Sequence, residues 1–123
     1  MSHTYAIADI HGCYRALRQL VEKVSPSAGD TLVFLGDYID RGPESREVID
    51  YILSLQSQFP RLITLKGNHE QMLLDYLAGR EQERYLHYGG QQTLQSYGLQ
   101  GEDKKSPAMP MRCIGRPRPA PWP

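Results

Sequence analysis

The sequence is poor in cysteine and has no long apolar run. Its two cysteines, Cys13 and Cys113, lie far apart, so neither a disulfide framework nor a zinc knuckle is indicated. No apolar run approaches the roughly 18 residues that a membrane span needs, and the first residues lack the basic and apolar regions of an export signal. We therefore expect a reducing, cytoplasmic setting without a membrane partner.

Net charge is also absent, because 14 Lys plus Arg balance 14 Asp plus Glu. The total therefore gives no electrostatic argument for binding nucleic acid. The balance is uneven, since residues 1–100 have a net charge of −3 and residues 101–123 a net charge of +3. Residues 107–123 also contain six of the nine prolines. We predict a folded region at 1–100 and an irregular or disordered Pro/Arg-rich tail at 101–123.

Short apolar runs alternate with amphipathic patterns in the first 80 residues. The runs at 5–8, 31–35 and 62–65 are continuous, which is typical of parallel strands covered by helices on both faces. Between and after them, apolar residues recur at helical spacing: Leu17, Leu20, Val21 and Val24, then Val48, Ile49, Ile52 and Leu55, then a stretch from Glu70 to Gly79. The alternation predicts an α/β fold with a mainly parallel sheet. Two short helical stretches around Gly89-Gly90 should follow it.

Each predicted strand is followed by a cluster of polar residues and glycines. The clusters are Asp9-Ile10-His11-Gly12, Gly36-Asp37-Tyr38-Ile39-Asp40-Arg41-Gly42 and Gly67-Asn68-His69-Glu70. A single strand-end carboxylate is usually a cap or a turn residue. Three such clusters in succession indicate a shared site, because the carboxyl ends of parallel strands line one crevice. Carboxylate, amide and imidazole groups are ligands that manganese, iron, zinc or magnesium accept.

These three clusters resemble, in order and spacing, the N-terminal motifs of the calcineurin-like metallophosphoesterases. The full 36–42 run and Glu70 resemble the phosphoprotein phosphatase branch. The segments 9–14 and 88–98 are similar to its bacterial and bacteriophage lambda members. The resemblance implies that residues 1–100 form the N-terminal part of a metallophosphoesterase domain. This part would be the βαβαβα half of a two-sheet sandwich.

The resemblance also implies a dinuclear metal centre. Asp9 and His11 would bind one divalent cation, Asp37 would bridge two, and Asn68 would bind the second. Manganese is the expected metal, with iron, zinc or magnesium as alternatives. In this family a metal-bound hydroxide attacks phosphorus, and two cations suit that reaction because they hold the phosphate oxygens and acidify water.

A second group of residues would complete the catalysis. His69 matches the family's general acid, and Asp40 matches the carboxylate that orients it. Arg41 would bind the substrate phosphate together with Asn68 and His69. The plainer alternatives are a surface ion pair for Asp40 and Arg41 and an ordinary helix-start histidine for His69. Glu70 is interpreted as a helix-start residue rather than a ligand, while Tyr38 could either touch substrate or pack.

The later ligands of the family have no match in this sequence. The family uses two further histidines and a second arginine, whereas His69 and His87 are the only histidines after Asn68. We therefore expect an incomplete second metal site and about the first half of the domain, with one sheet face uncovered. Either a partner chain or oligomer supplies the rest, or the reading frame is lost near residue 103.

The activity expected from the resemblance is hydrolysis of phosphoserine, phosphothreonine or phosphotyrosine in proteins, or of a small phosphoester. One alternative is hydrolysis of symmetric diadenosine tetraphosphate, by a sister branch that resembles this sequence less at Asp40 and Glu70. The other is a catalytically silent fragment that binds metal.

Overall fold

Three parallel strands form the sheet, and helices follow each of them. The computed structural model of the chain describes residues 2–99. In chain order the elements are β1 (Thr4–Ile7), α1 (Tyr14–Val24), β2 (Thr31–Phe34), α2 (Ser45–Gln58), β3 (Leu62–Thr64), α3 (Asn68–Leu77), α4 (Gln82–Tyr85), a π-type turn (Leu86–Gly90) and α5 (Gln91–Ser96). The predicted α/β fold with a parallel sheet is confirmed. The predicted tail at 101–123 lies outside the described residues.

The strand order β1-β2-β3 decides which face of the sheet is covered. All pairs are parallel, and Tyr5, Leu32 and Leu62 share one register position. Right-handed crossovers that advance in one direction place α1 and α2 on the same face. Leu32 and Phe34 point to that face and are fully buried against the two helices.

The opposite face is open in residues 2–99. Thr4, Ala6 and Ile63 on this face are exposed, and Val33 is half-buried. The uncovered sheet face that was expected from the missing half of the domain is confirmed for the described part of the chain. The cover on both faces that the continuous apolar runs had suggested is not present there. The reason is topological, since no described connection returns across the other side of the sheet.

The helix boundaries follow the local chemistry of the sequence. Helix α1 ends before Ser25, which has a left-handed φ of 49° and donates its N–H to the carbonyl of Val21 at 2.8 Å. Pro26 then prevents the helix from continuing. Helix α2 begins directly after Pro43-Glu44 and buries its predicted apolar stripe. None of the helices in residues 2–99 combines the length and the apolar character that crossing a membrane requires.

Helix α3 begins at Asn68, two residues earlier than the apolar pattern predicts. The Glu70 side chain accepts the N–H of Gly67 at 2.9 Å, which is half of a capping box. Asn68 and His69 therefore belong to the first helical turn, where backbone N–H groups point out of the helix. This start matters for the site described below.

The turn before β2 is fixed by a buried carboxylate. Asp30 is 4% exposed and accepts the N–H of Ser27 at 2.7 Å and of His3 at 2.8 Å. These two bonds, the His3 bond first, lower the pKa of Asp30 because they favour its ionised form. The residue therefore ties the entry of β1 to the entry of β2.

Replacing this carboxylate should give a pH-dependent loss of stability. Because the pKa of Asp30 is lower in the folded state, its contribution is present above the unfolded pKa of 3.8 and is lost as pH falls through the folded pKa. We expect Asp30→Asn to lower the urea midpoint at pH 7 and to lower it less below about pH 3.

Asp50→Asn is the matched control, because Asp50 is exposed and lies 3.9 Å from Arg46 in a surface pair. That variant should change the midpoint little at either pH. An equal loss for Asp30→Asn at both pH values would contradict the assignment.

Candidate metal centre and active site

The loops that follow the three strands are joined by backbone hydrogen bonds. The N–H of His11 donates to the carbonyl of Asp37 at 3.0 Å, and the N–H of Gly12 donates to the carbonyl of Tyr38 at 2.9 Å. The N–H of Gly42 in turn donates to the carbonyl of His11 at 2.9 Å. The first and second strand-end clusters therefore form one unit.

Glycine allows the second and third clusters to meet. A side chain at Gly36, which has a φ of 107°, would lie 2.5 Å from the backbone nitrogen of Gly67. That contact is impossible for any residue with a Cβ. The close approach places Asp37 at the start of α3.

Backbone strain is concentrated in these loops. Among the described residues other than glycine, seven have a positive φ: Asp9, His11, Ser25, Asp37, Asp40, Arg41 and Glu81. Five of them are predicted site residues. Each such conformation costs about 1–3 kcal/mol and persists where the surroundings impose it, which is typical of functional sites.

Three of the four predicted metal ligands lie together. Asp9, His11 and Asp37 each offer a ligand atom within 4.8 Å of those of the other two. His11 Nδ1 lies 2.9 Å from the carbonyl oxygen of Ile39, which can only accept. Nδ1 must therefore carry the proton, and Nε2 is left free as a ligand atom. Two carboxylates and one imidazole with a fixed tautomer fit a divalent first-row metal ion.

Asp37 is held from both sides. Its Oδ1 accepts the backbone N–H of His69 at 3.0 Å. Its own N–H donates to Glu70 Oε1 at 2.6 Å, and the N–H of Tyr38 donates to Glu70 Oε2 at 3.0 Å. Glu70 is fully buried, and burial raises its pKa while the N–H bonds oppose the rise. It therefore acts as a clamp between two loops, beyond the helix-start role that the sequence indicated.

Asp40 and His69 form a direct pair beside the metal-ligand cluster. His69 Nδ1 lies 2.7 Å from Asp40 Oδ2, and Asp40 is fully buried. This burial excludes the alternative of a surface ion pair for Asp40. The His69 ring stands edge-on to the His11 ring with centroids 4.7 Å apart. Because Nδ1 donates to Asp40, Nε2 is the free nitrogen of His69.

Two hydroxyl groups that the sequence reasoning missed reach the other carboxylate oxygen. Tyr85 Oη and Thr93 Oγ1 both donate to Asp40 Oδ1 at 2.7 Å. Thr93 lies within the 88–98 segment that resembles bacterial family members, and this resemblance is the one sequence feature that could have indicated a role for Thr93 in the site. Tyr85 precedes the segment, and no spacing rule connects it to Asp40.

The remaining predicted residues are exposed. Arg41 follows Asp40, and its N–H donates to the carbonyl of Gly89 at 3.0 Å. Asn68 directly precedes His69 at the start of α3. Their roles in binding phosphate and the second cation stay predictions.

The alternatives left open for Tyr38 are now decided. Tyr38 is fully buried, and its hydroxyl lies 2.6 Å from the carbonyl of Leu65 and 3.0 Å from that of Phe34. It therefore packs under the site and does not face substrate. His87 is exposed and lies outside the ligand cluster.

Comparison with known proteins identifies the family. The profile of the calcineurin-like phosphoesterases matches residues 2–118. The chain belongs to this family. The predicted metallophosphoesterase resemblance is therefore confirmed, and with it membership of a family of hydrolases that use divalent metals.

Two proteins that this chain resembles are named for the same kind of dinucleotide hydrolysis. A symmetrical bis(5'-nucleosyl)-tetraphosphatase of Proteus mirabilis is 46% identical over 76 residues, which are 61% of this chain and 27% of the relative. A solved structure titled as a putative diadenosine tetraphosphatase is 34% identical with a TM-score of 0.52, over 62% of this chain and 32% of that one. The chain thus spans about a quarter to a third of the length of these relatives.

A protein serine/threonine phosphatase of Saccharomyces cerevisiae shares the fold. Its TM-score is 0.52 at 21% identity, over 81% of this chain and 37% of that one. At this identity the likeness concerns the fold alone. The predicted phosphoprotein phosphatase branch is therefore left undecided by these neighbours.

The ligand cluster predicts one measurable cation site. We expect titration calorimetry of the full chain with Mn²⁺ to show one site per chain, and Asp9→Asn to weaken it on the order of tenfold or more, because it removes a charged ligand. Asp9 is exposed, so the fold should survive. Asp75→Asn is the control, because it makes the same change to a carboxylate outside the ligand cluster, in a pair with Arg80. Two tight sites per chain, or full binding by Asp9→Asn, would contradict the prediction.

The Glu70 clamp makes a separate prediction. Glu70→Gln replaces one acceptor oxygen by an amide that cannot accept the N–H groups of the loops. We expect it to lower the free energy of unfolding by about 1–3 kcal/mol and to speed hydrogen exchange at the amides of Asp37 and Tyr38. Unchanged exchange at these two amides would show that the clamp is not needed.

Proposed function

We propose that this chain hydrolyses phosphoric esters or anhydrides with divalent cations held by Asp9, His11 and Asp37. The observation that carries the proposal is the Asp40–His69 pair, 2.7 Å apart, whose imidazole stands edge-on to a ring of the ligand cluster at 4.7 Å. A ligand cluster alone is common in proteins. A buried carboxylate that orients a histidine beside such a cluster is an arrangement for proton transfer.

Divalent cations, when bound, would polarise the phosphate oxygens and make water a better nucleophile near neutral pH. The protein residues have the other roles. Asp37 is fixed by the N–H of His69, so the ligand cluster and the start of α3 keep a constant spacing. Asn68 would add a neutral oxygen ligand, and the exposed Arg41 would bind the phosphate oxygens through its guanidinium.

His69 would act as the general acid. Its Nδ1 donates to Asp40, so Nε2 is the nitrogen that can deliver a proton to the leaving group. The His69 side chain is only 12% exposed, and therefore the ring has little freedom to leave this orientation. The cleaved bond is the one between phosphorus and the leaving oxygen, and water supplies the new P–O bond and the balancing protons.

The substrate class that similarity favours is a dinucleoside tetraphosphate. Relatives of 46% and 47% identity are named symmetrical bis(5'-nucleosyl)-tetraphosphatases, and a solved structure of 34% identity is titled accordingly. We therefore place this alternative before the protein phosphatase that the motifs first suggested. Symmetrical cleavage with one water gives two nucleoside diphosphates.

A phosphoprotein is the second candidate, and the Asp40–His69 pair favours it. The alkoxide of serine or threonine is a strong base, so its departure needs a proton. A nucleoside diphosphate is a far weaker base and gains less from a general acid. The buried, fully bonded Asp40 would thus matter most for alkyl phosphoesters.

The two candidates can be separated in one assay series. We expect the full chain with Mn²⁺ to cleave diadenosine tetraphosphate, with only adenosine diphosphate as product, at a higher kcat/KM than a phosphothreonine peptide. His69→Asn should lower kcat for the phosphothreonine peptide on the order of 10²-fold or more, as loss of a general acid does, and should lower kcat for the dinucleotide less.

His87→Asn is the matched control, because it makes the same substitution at an exposed histidine outside the site. It should leave kcat/KM unchanged. A higher kcat/KM for the peptide would replace the dinucleotide by the phosphoprotein as substrate. Activity on neither substrate, or activity on the peptide that is the same in His69→Asn as in the wild type, would overturn the proposed function and leave a silent metal-binding protein.

A further inference from the structure

Residues 82–96 contain none of the three metal-site motifs, yet this segment places two hydroxyl groups on a buried carboxylate. We propose that Tyr85 and Thr93 are positioning residues, an inference that rests on the proposed function of His69. Their hydroxyls hold the Asp40 carboxylate so that only its Oδ2 faces His69. The segment would then act on catalysis through Asp40 and His69, although it contains none of the predicted metal-ligand or phosphate-binding residues.

The hydrogen bonds of Asp40 are distributed between its two oxygens. Oδ1 accepts from Tyr85 and Thr93 at 2.7 Å each, and Oδ2 lies 2.7 Å from His69 Nδ1. A carboxylate that is 0% exposed needs such donors, because a buried unpaired charge is very unfavourable. The two hydroxyls also prevent rotation of the carboxylate about its Cβ–Cγ bond, which would move Oδ2 away from the imidazole.

Thr93 binds the side chain and the backbone of Asp40 at once. Its single hydroxyl hydrogen points to Oδ1, while Oγ1 accepts the Asp40 N–H at 2.8 Å. Ser45 Oγ, 3.0 Å from Thr93 Oγ1, completes the group. Asp40 has a φ of 74°, so this hydroxyl also fixes a strained backbone position.

Close packing immobilises the Tyr85 ring, so its hydroxyl is a fixed hydrogen-bond donor. Its ring lies 5.2 Å from that of Tyr76, and a Cβ at Gly90 would lie 2.5 Å from its Cδ2 atom. Burial first, and then the charge of Asp40, raises the pKa of Tyr85 well above its usual value. The phenol therefore stays protonated at neutral pH and can only donate to the carboxylate.

The first test needs no metal and no substrate. In the metal-free full chain, the Nδ1–H proton of His69 should give a far-downfield NMR resonance because it is held by Asp40. We expect this resonance to shift or broaden in Tyr85→Phe and in Thr93→Val, and to be restored in Thr93→Ser. Tyr97→Phe is the control, because the buried Tyr97 hydroxyl has no hydrogen-bond partner among the described residues; it should leave the resonance in place.

The second test measures dependence on the leaving group. With Mn²⁺ present, Tyr85→Phe and Thr93→Val should each lower kcat for a phosphoserine peptide on the order of tenfold, which is part of the rate enhancement that a general acid supplies. Both variants should lower kcat for p-nitrophenyl phosphate much less, because its leaving group needs little protonation. A purely structural role would lower kcat for both substrates alike.

The outcomes separate this inference from the proposed function. If the wild type cleaves no substrate, the proposed function fails and the resonance still tests the positioning of Asp40. An unchanged resonance in both variants, or equal losses on both substrates, overturns the inference. If Thr93→Val fails to fold, Tyr85→Phe decides, since it keeps the ring and removes only the hydroxyl.

Discussion

The burial of the Asp40 carboxylate is the constraint on which the site depends. A charge removed from water must be surrounded by donors, and here the donors come from three separate parts of the chain. The first turn of α3 provides His69, α4 provides Tyr85 and α5 provides Thr93. Folding of these parts is therefore coupled to the assembly of the site. If any one of them unfolds, the buried carboxylate is exposed to water or loses a hydrogen-bond donor.

A second buried carboxylate, that of Glu70, holds backbone segments of the site together by accepting their N–H groups. Glu70 collects N–H groups from Gly67, Asp37 and Tyr38, and so sets the distance between the loop after β2 and the start of α3. Of the residues that Glu70 holds, Asp37 has a positive φ of 57°. An isolated peptide with this loop sequence would not keep such conformations. In the folded protein, the packing of the sheet and helices beneath the loops offsets their unfavourable free energy.

The sequence was sufficient to predict the strands, the helices and the meeting of Asp9, His11 and Asp37, because side chains at the ends of parallel strands share one edge. The apolar runs alone were not sufficient for the face that the sheet leaves open, since a continuous apolar run has the same appearance whether one or two faces are covered. The open face was predicted from the absence of the later motifs of the family. The sequence could not predict the hydroxyl donors. Tyr85 and Thr93 are separated from Asp40 by 45 and 53 positions, and their contact arises from tertiary packing that no periodicity encodes.

The hydroxyl donors on Asp40 have a consequence for how such proteins diverge. Asp9, His11 and Asp37 lie on the loops after β1 and β2, and His69 lies in the first turn of α3. The two hydroxyls that contact Asp40 lie on α4 and α5. Under the proposed positioning role of Tyr85 and Thr93, substitutions at these two residues would alter which leaving groups are accepted and would leave the cation ligands unchanged. Changes in substrate preference would then appear as substitutions in α4 and α5 before they appear in the metal-site motifs.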